Sequence, residues 1–196
     1  MRRLRFLTAG DLALAAQAVR SVLAADGVVL LPTETFYGLG ACPTSRLALA
    51  KVCAMKGRPE ELALPVLCAD WQQVESLVEV PEVHRSRLES VWPGPLTAVM
   101  RCAVPLPAAV AGTLAVRVPG HPLLRSLLAT VGPLTGTSAN RHGEDPCTGV
   151  TAALESLHQS PDLVLEGGVT TGGAASTVVD LTRQSAVVLR WGASGW

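Results

Sequence analysis

The chain has 196 residues, of which 48% are hydrophobic, 16% charged and 4% aromatic, and its sixteen basic residues balance sixteen acidic ones. That length and apolar content suit one domain with a mainly aliphatic core, and zero net charge argues against a protein that coats nucleic acid by overall charge, leaving room only for a local basic patch. Cys42, Cys53, Cys68, Cys102 and Cys147 contain no C-x-x-C pair and have aliphatic neighbours, so they read as reduced, buried thiols of a cytoplasmic protein rather than disulfides or a zinc site.

At the N-terminus Arg2, Arg3 and Arg5 are followed, before Asp11, by too few and too mixed residues for a signal-peptide core, and no apolar run reaches membrane-span length. Asp11 caps a helix whose Leu12, Ala15, Ala16, Val19, Val22 and Leu23 recur at helical spacing, and Gly27 ends it. Val28 to Leu31 is a continuous β-branched and aliphatic run, a buried strand that stops at Pro32. Thr33 to Gly40 is then a loop of hydroxyls and glycines that allows close approach to a ligand. Thr44 caps a second helix, with Leu47, Ala48, Ala50, Cys53 and Ala54 on its apolar face up to Met55. Gly57 and Pro59 end that helix, and Lys56 and Arg58 emerge there together. A strand end, a glycine-rich loop and a cationic turn point to a site for an anionic ligand. It is not a dinucleotide fingerprint, because Pro43 stands where the third glycine belongs, and no P-loop sequence occurs.

Val66 to Cys68 reads as a strand, Trp71 to Val78 and Glu82 to Val91 as helices separated by Pro81, and Trp92-Pro93-Gly94-Pro95 as a rigid turn. Leu96 to Arg101 alternates weakly as a strand, Pro105 to Pro107 is a loop, Leu114 to Val118 a strand carrying Arg117, and Pro122 to Val131 a helix. Pro133 to Thr137 is a short strand that empties into Ser138-Ala139-Asn140, and Thr148 caps a helix to about His158. Leu163 to Leu165, Thr177 to Leu181 and Val187 to Arg190 close the fold as strands, the first two separated by the glycine-rich Gly167 to Gly173. Strands alternating with helices early and strands in succession late predict one α/β domain, residues 1–196, on a mixed sheet.

Polar side chains recur at the predicted strand ends: Thr33 and Thr35, Thr113 and Arg117, Ser138 and Asn140, Ser176 and Thr177, and Arg190. Ligand sites of open α/β sheets form at strand ends. Gly136-Thr137-Ser138-Ala139-Asn140 is not a nucleophile elbow, since Asn140 replaces its last glycine.

From Val28 to Gly192 the sequence resembles the YrdC-like threonylcarbamoyl-AMP synthases. The matching blocks are Pro32-Thr33-Glu34-Thr35-Phe36-Tyr37-Gly38-Leu39-Gly40, Lys56-Gly57-Arg58-Pro59, Trp92-Pro93-Gly94-Pro95-Leu96-Thr97, Ala115-Val116-Arg117-Val118-Pro119 with His121-Pro122, Thr137-Ser138-Ala139-Asn140, Ser176-Thr177-Val178-Val179-Asp180, and Arg190 before Gly192. The resemblance implies a single YrdC-like domain, a twisted mixed parallel and antiparallel sheet flanked by helices around a central ligand cavity. It implies a nucleotidyltransferase that makes threonylcarbamoyl-adenylate and pyrophosphate from L-threonine, bicarbonate or carbon dioxide, and ATP, for threonylcarbamoyladenosine in tRNA. Magnesium is expected with ATP, with no organic cofactor; a downstream tRNA threonylcarbamoyl transferase and a tRNA contact are the expected macromolecular partners.

By the same resemblance Lys56, Arg58, Ser138 and Asn140 match the family's central residues. Thr33, Arg117, Ser138 and Ser176 match positions that hold threonine or its carbamate; Lys56, Arg58, Thr113, Asn140, Thr148 and Arg190 match nucleotide contacts. Glu34 is a magnesium candidate only through its place in the loop. Members commonly read proline-leucine and then histidine after the Lys-x-Arg turn, whereas Ala63-Leu64-Pro65-Val66-Leu67 puts alanine and leucine there, leaving the strictness of threonine selection open. The chain ends at Trp196, soon after Arg190, so the short form without an added C-terminal domain is expected. Two other classes share these residues: an RNA-binding module without catalysis, and a carbamoyl-transfer domain with a different acceptor.

Overall fold

Val28 to Leu31 organises the molecule because it is apolar at every position, and a strand with no polar face must be covered on both sides. In the computed structural model, which describes residues 1–59 and 63–196, the run forms β2 (Val29–Pro32) at the centre of a five-stranded sheet. Its companions are β1 (Arg2–Arg5), β3 (Tyr37–Gly40), β9 (Thr137–Ser138) and β10 (Leu163–Glu166), in the order β1-β10-β2-β3-β9. Pairing along β1, β10 and β2 is parallel, and β3 runs antiparallel to both its neighbours. Val29 and Leu31 share a core with Ala15, Ala16 and Val19 of α1 (Leu12–Ala24) and Leu124, Leu127 and Leu128 of α5 (Pro122–Val131). Val28 and Leu30 join the other core, with Ala48, Val52 and Cys53 of α2 (Arg46–Lys56).

A seven-stranded sheet contains β4 (Val66–Leu67), β5 (Val78–Glu79), β6 (Leu96–Cys102), β7 (Thr113–Arg117), β8 (Leu134–Thr135), β11 (Thr177–Asp180) and β12 (Val187–Arg190). Its order is β12-β11-β6-β7-β4-β8, with β5 set against β6. β6 is parallel to β11 and antiparallel to β7, and β4 is parallel to β7 and antiparallel to β8. Helices α3 (Trp71–Leu77), α4 (Glu82–Val91) and α6 (Val150–Ser156) complete the frame. Leu96, Ala98 and Met100 of β6 are buried in the larger core, so the alternation of the strand leaves Thr97 and Val99 for its opposite face.

The two sheets are joined across a single residue. Leu134–Thr135 lies in one and Thr137–Ser138 in the other, and Gly136 between them has no room for a Cβ, which would collide with the Leu67 side chain. The Thr135 hydroxyl accepts from the Ala41 N–H at 2.9 Å and donates to the Leu39 carbonyl at 3.1 Å, tying β8 to β3.

Several elements differ from the sequence expectation. Tyr37–Gly40, read as loop because of its glycines, is strand β3, paired on both sides. Ser45 rather than Thr44 caps α2, accepting from the Ala48 N–H at 3.1 Å. Gly149 rather than Thr148 precedes α6, which ends at Ser156. The expected strand Pro133–Thr137 is broken at Gly136 into β8 and β9, and Arg2–Arg5 adds an unforeseen parallel edge strand. No disulfide joins any of the described cysteines; Cys53 and Cys68 are buried, while Cys42, Cys102 and Cys147 are half-buried. Among the described residues no helix is long and apolar enough to cross a membrane.

Candidate active site

A cavity of about 500 Å³ opens between the sheets. One wall comes from Thr33, Thr35, Tyr37 and Gly38 with Thr137 and Ser138; the other comes from Leu67, Thr97, Val99, Ala115, Arg117, Val178 and Arg190. Gly38 lies in register with Ser138, and its missing side chain lets the β3 backbone itself form part of the wall.

Lys56 reaches the cavity from the last turn of α2. Gly57 closes that helix in the left-handed region at φ 59°, and the Arg58 N–H returns to the Cys53 carbonyl at 3.0 Å. The Lys56 ammonium is buried and donates to the Ser138 carbonyl and, at 2.6 Å, to the Asn140 carbonyl. Two of its three donors are thereby fixed, leaving one for a ligand. Burial first and the Arg58 charge second pull this ammonium down to about 8. Arg58 donates through Nη2 to the Ala63 carbonyl at 2.8 Å, while its buried Nε has no partner. Burial also pulls its guanidinium below the usual range.

Asn140 gives both amide hydrogens away, to the Arg141 carbonyl at 2.8 Å and the Glu144 carbonyl at 2.7 Å, and its buried Oδ1 is left without a donor. Across the cavity Ser176 shares a 3.0 Å hydroxyl contact with Thr97, and Arg190 grips the Ser176 carbonyl through Nη2 at 2.8 Å and Nε at 3.2 Å. Burial, then the charge of Arg117, lowers the Arg190 guanidinium from its ordinary value. Arg117 donates from Nη2 to Glu34 Oε1 at 2.5 Å and from Nε to the Gly94 carbonyl at 3.1 Å. Among the described residues four cations therefore line one cavity, with Glu144 the only carboxylate in its wall. A neutral chain has gathered its positive charge where an anionic ligand would sit.

Residues 21–192 match the profile of the Sua5–YciO–YrdC family, described as "Telomere recombination". The chain belongs to this family. A threonylcarbamoyl-AMP synthase of Pyrococcus abyssi is 35% identical over 170 residues, which are 84% of this chain and 50% of that protein; the chain thus spans half the length of that relative. A threonylcarbamoyl-AMP synthase of Photobacterium profundum is 34% identical over 183 residues, 90% of this chain and 98% of its own length. The crystal structure of P. abyssi Sua5 complexed with L-threonine superposes with a TM-score of 0.85 at 30% identity, over 97% of this chain and 57% of that one.

In this Sua5–YciO–YrdC domain eight of the ten residues singled out from sequence, Thr33, Lys56, Arg58, Arg117, Ser138, Asn140, Ser176 and Arg190, line the one cavity. Thr113 and Thr148 are not in its wall. The Thr113 hydroxyl is turned to the Val110 carbonyl at 2.9 Å, and the Thr148 carbonyl receives the Thr170 N–H at 2.9 Å. Glu34, the loop carboxylate, is paired with Arg117. Tyr37, Thr97 and Glu144, to which the sequence assigns no role, also line the cavity. For Thr97 a signal existed: it is the polar member of the alternation on β6. Tyr37 falls in the stretch that reads as loop; its hydroxyl accepts from the Gly167 N–H at 3.0 Å and donates to the Gly168 carbonyl at 2.7 Å, pinning the glycine-rich segment to β3.

Proposed function

We propose that this chain joins L-threonine, bicarbonate or carbon dioxide, and ATP into L-threonylcarbamoyladenylate with release of pyrophosphate, for the threonylcarbamoyladenosine modification of tRNA. The observation that carries the proposal is the collection of Lys56, Arg58, Arg117 and Arg190 in one cavity with uncharged donors and acceptors between them. Family membership and the names of the relatives support it.

In the proposed reaction Arg117 holds the threonine carboxylate, and the amino nitrogen bonds to carbon dioxide, loses a proton and becomes a carbamate. A carbamate oxygen then attacks the α-phosphorus as the bond to the β-phosphate oxygen breaks. Such a step needs placement and charge neutralisation rather than a covalent intermediate. Lys56 and Arg58 supply the charge, and their fixed donors spend no reorganisation during the step. Ser138 and the unpaired Oδ1 of Asn140 orient the carbamate and its nitrogen without neutralising them. Arg190 and Ser176 hold the opposite wall. The described residues contain no cluster of three His, Cys, Asp or Glu suited to a metal, so they do not form a dedicated magnesium cage; an ion accompanying ATP would be held by phosphate oxygens and water. The adenylate would pass to a tRNA threonylcarbamoyl transferase.

The test is mass-spectrometric detection of the adenylate after incubation with ATP, bicarbonate and each small amino acid in turn. Threonine should give the largest yield; an equal yield from serine, glycine and alanine, or none from any, would contradict the proposal.

A further inference from the structure

Glu34 lies in the loop between β2 and β3 but is not in the cavity wall; it stands behind Arg117. Its Oε1 accepts from Arg117 Nη2 at 2.5 Å and from the Gly120 N–H at 2.7 Å, and Arg117 Nε donates to the Gly94 carbonyl at 3.1 Å. Nε and Nη2 form one edge of a guanidinium. Glu34 and Gly94 occupy that edge together, and no described residue accepts from Nη1, on the edge that remains. The pair is largely shielded, with side-chain exposures of 9% for Arg117 and 22% for Glu34.

Three distant segments are shaped to make this clamp. The Gly94 N–H donates to the Val118 carbonyl at 2.8 Å, which locks the proline-rich turn beside the Arg117 strand. A Cβ at Gly120 would come within 3.2 Å of Glu34 Oε1 and 3.3 Å of its Cδ and Cγ, so a glycine there lets the carboxylate close on its partner. The main-chain carbonyl of Glu34 accepts from the Thr171 hydroxyl, so the glycine-rich segment backs the loop. Arg190 stands near enough for its charge to oppose that of Arg117.

From this geometry we infer that Glu34 is a positioning residue, which fixes the Arg117 guanidinium so that its Nη1-bearing edge meets the substrate carboxylate. The inference rests on the proposed role of Arg117 in holding threonine. Placement and charge can be separated, because Glu34→Gln keeps an oxygen able to accept from both Arg117 and Gly120 whereas Glu34→Ala removes it.

The experiment is calorimetric titration of L-threonine and of ATP, separately, into wild type, Glu34→Gln, Glu34→Ala and Gly120→Ala. Misplacing the fork should weaken threonine about tenfold or more in Glu34→Ala, with ATP held within about twofold and threonine within about threefold in Glu34→Gln. Gly120→Ala, which crowds the clamp without removing a charge, should also weaken threonine selectively. Wild-type threonine affinity in Glu34→Ala, parallel loss of both ligands, or a Gln variant as damaged as the Ala variant would overturn the inference. If Glu34→Ala does not fold, as judged by its melting curve, Gly120→Ala decides: unchanged threonine affinity there overturns the inference. Absence of threonine binding by the wild type would instead count against the proposed reaction.

Discussion

Lys56 and Arg58 sit two residues apart at one helix end, yet their environments ask different things of them. Lys56 is an ammonium held by two carbonyls and pulled down to about 8 mainly by burial. Phosphate bound beside it would favour the charged form and raise that value again. ATP affinity should therefore be full below pH 8 and fall as pH rises past 8, by up to about tenfold per pH unit, until the bound-state value is passed. Titration from about pH 7 to about pH 9.5 measures this, with proton uptake on binding at the alkaline end; a flat profile, or an unchanged slope in Lys56→Met, would remove Lys56 from the phosphate site. Without ligand the same shift makes Lys56 a cost to stability below pH 8, relieved as pH rises toward 10.5. Arg58 differs because one nitrogen is committed to the Ala63 carbonyl while the residue also lines the cavity. A lysine has no second nitrogen for both tasks. Arg58→Lys should lower turnover by one or more tenfold steps, each about 1.4 kcal/mol of transition-state stabilisation. Near-normal turnover would make Arg58 a helix-end cation only.

At the level of elements, glycines decide where the chain can cross or fold back. Gly136 passes from one sheet to the other against Leu67, and Gly136→Ala would force the buried Leu67 out of place. Overpacking of that kind costs about 1–3 kcal/mol, measurable by denaturant unfolding; a stability equal to wild type would show that the crossing can relax. Gly192 is tighter, since a Cβ there would meet main-chain atoms of Ala175, Ser176 and Thr177. The helix end bearing Lys56 and Arg58, and the two-faced run Val28–Leu31, were legible because their signals are local: glycine and proline punctuation and an unbroken apolar string. Strand β3 was not. Its glycines argue for a loop, and only pairing with β2 and β9, the second nearly a hundred residues downstream, makes it a strand. Nor could the sequence show Glu34 facing Arg117, because that contact is created by the fold across 83 positions.

For the whole molecule the decisive feature is one cavity between two sheets that concentrates cations from a chain of zero net charge. The wall offers no described serine or cysteine paired with a base that would make it a nucleophile, and in the proposed reaction the acceptor for the adenylyl group is the bound carbamate. In that proposed reaction, holding the threonine carboxylate on Arg117 would keep it away from the α-phosphorus and leave the amino end to meet carbon dioxide. The most direct test is pyrophosphate release with ATP and saturating threonine, with and without bicarbonate. Release should be near background in bicarbonate-depleted, carbon-dioxide-free buffer and rise when bicarbonate is restored; full release without it would contradict the carbamate route and indicate simple activation of the amino-acid carboxylate.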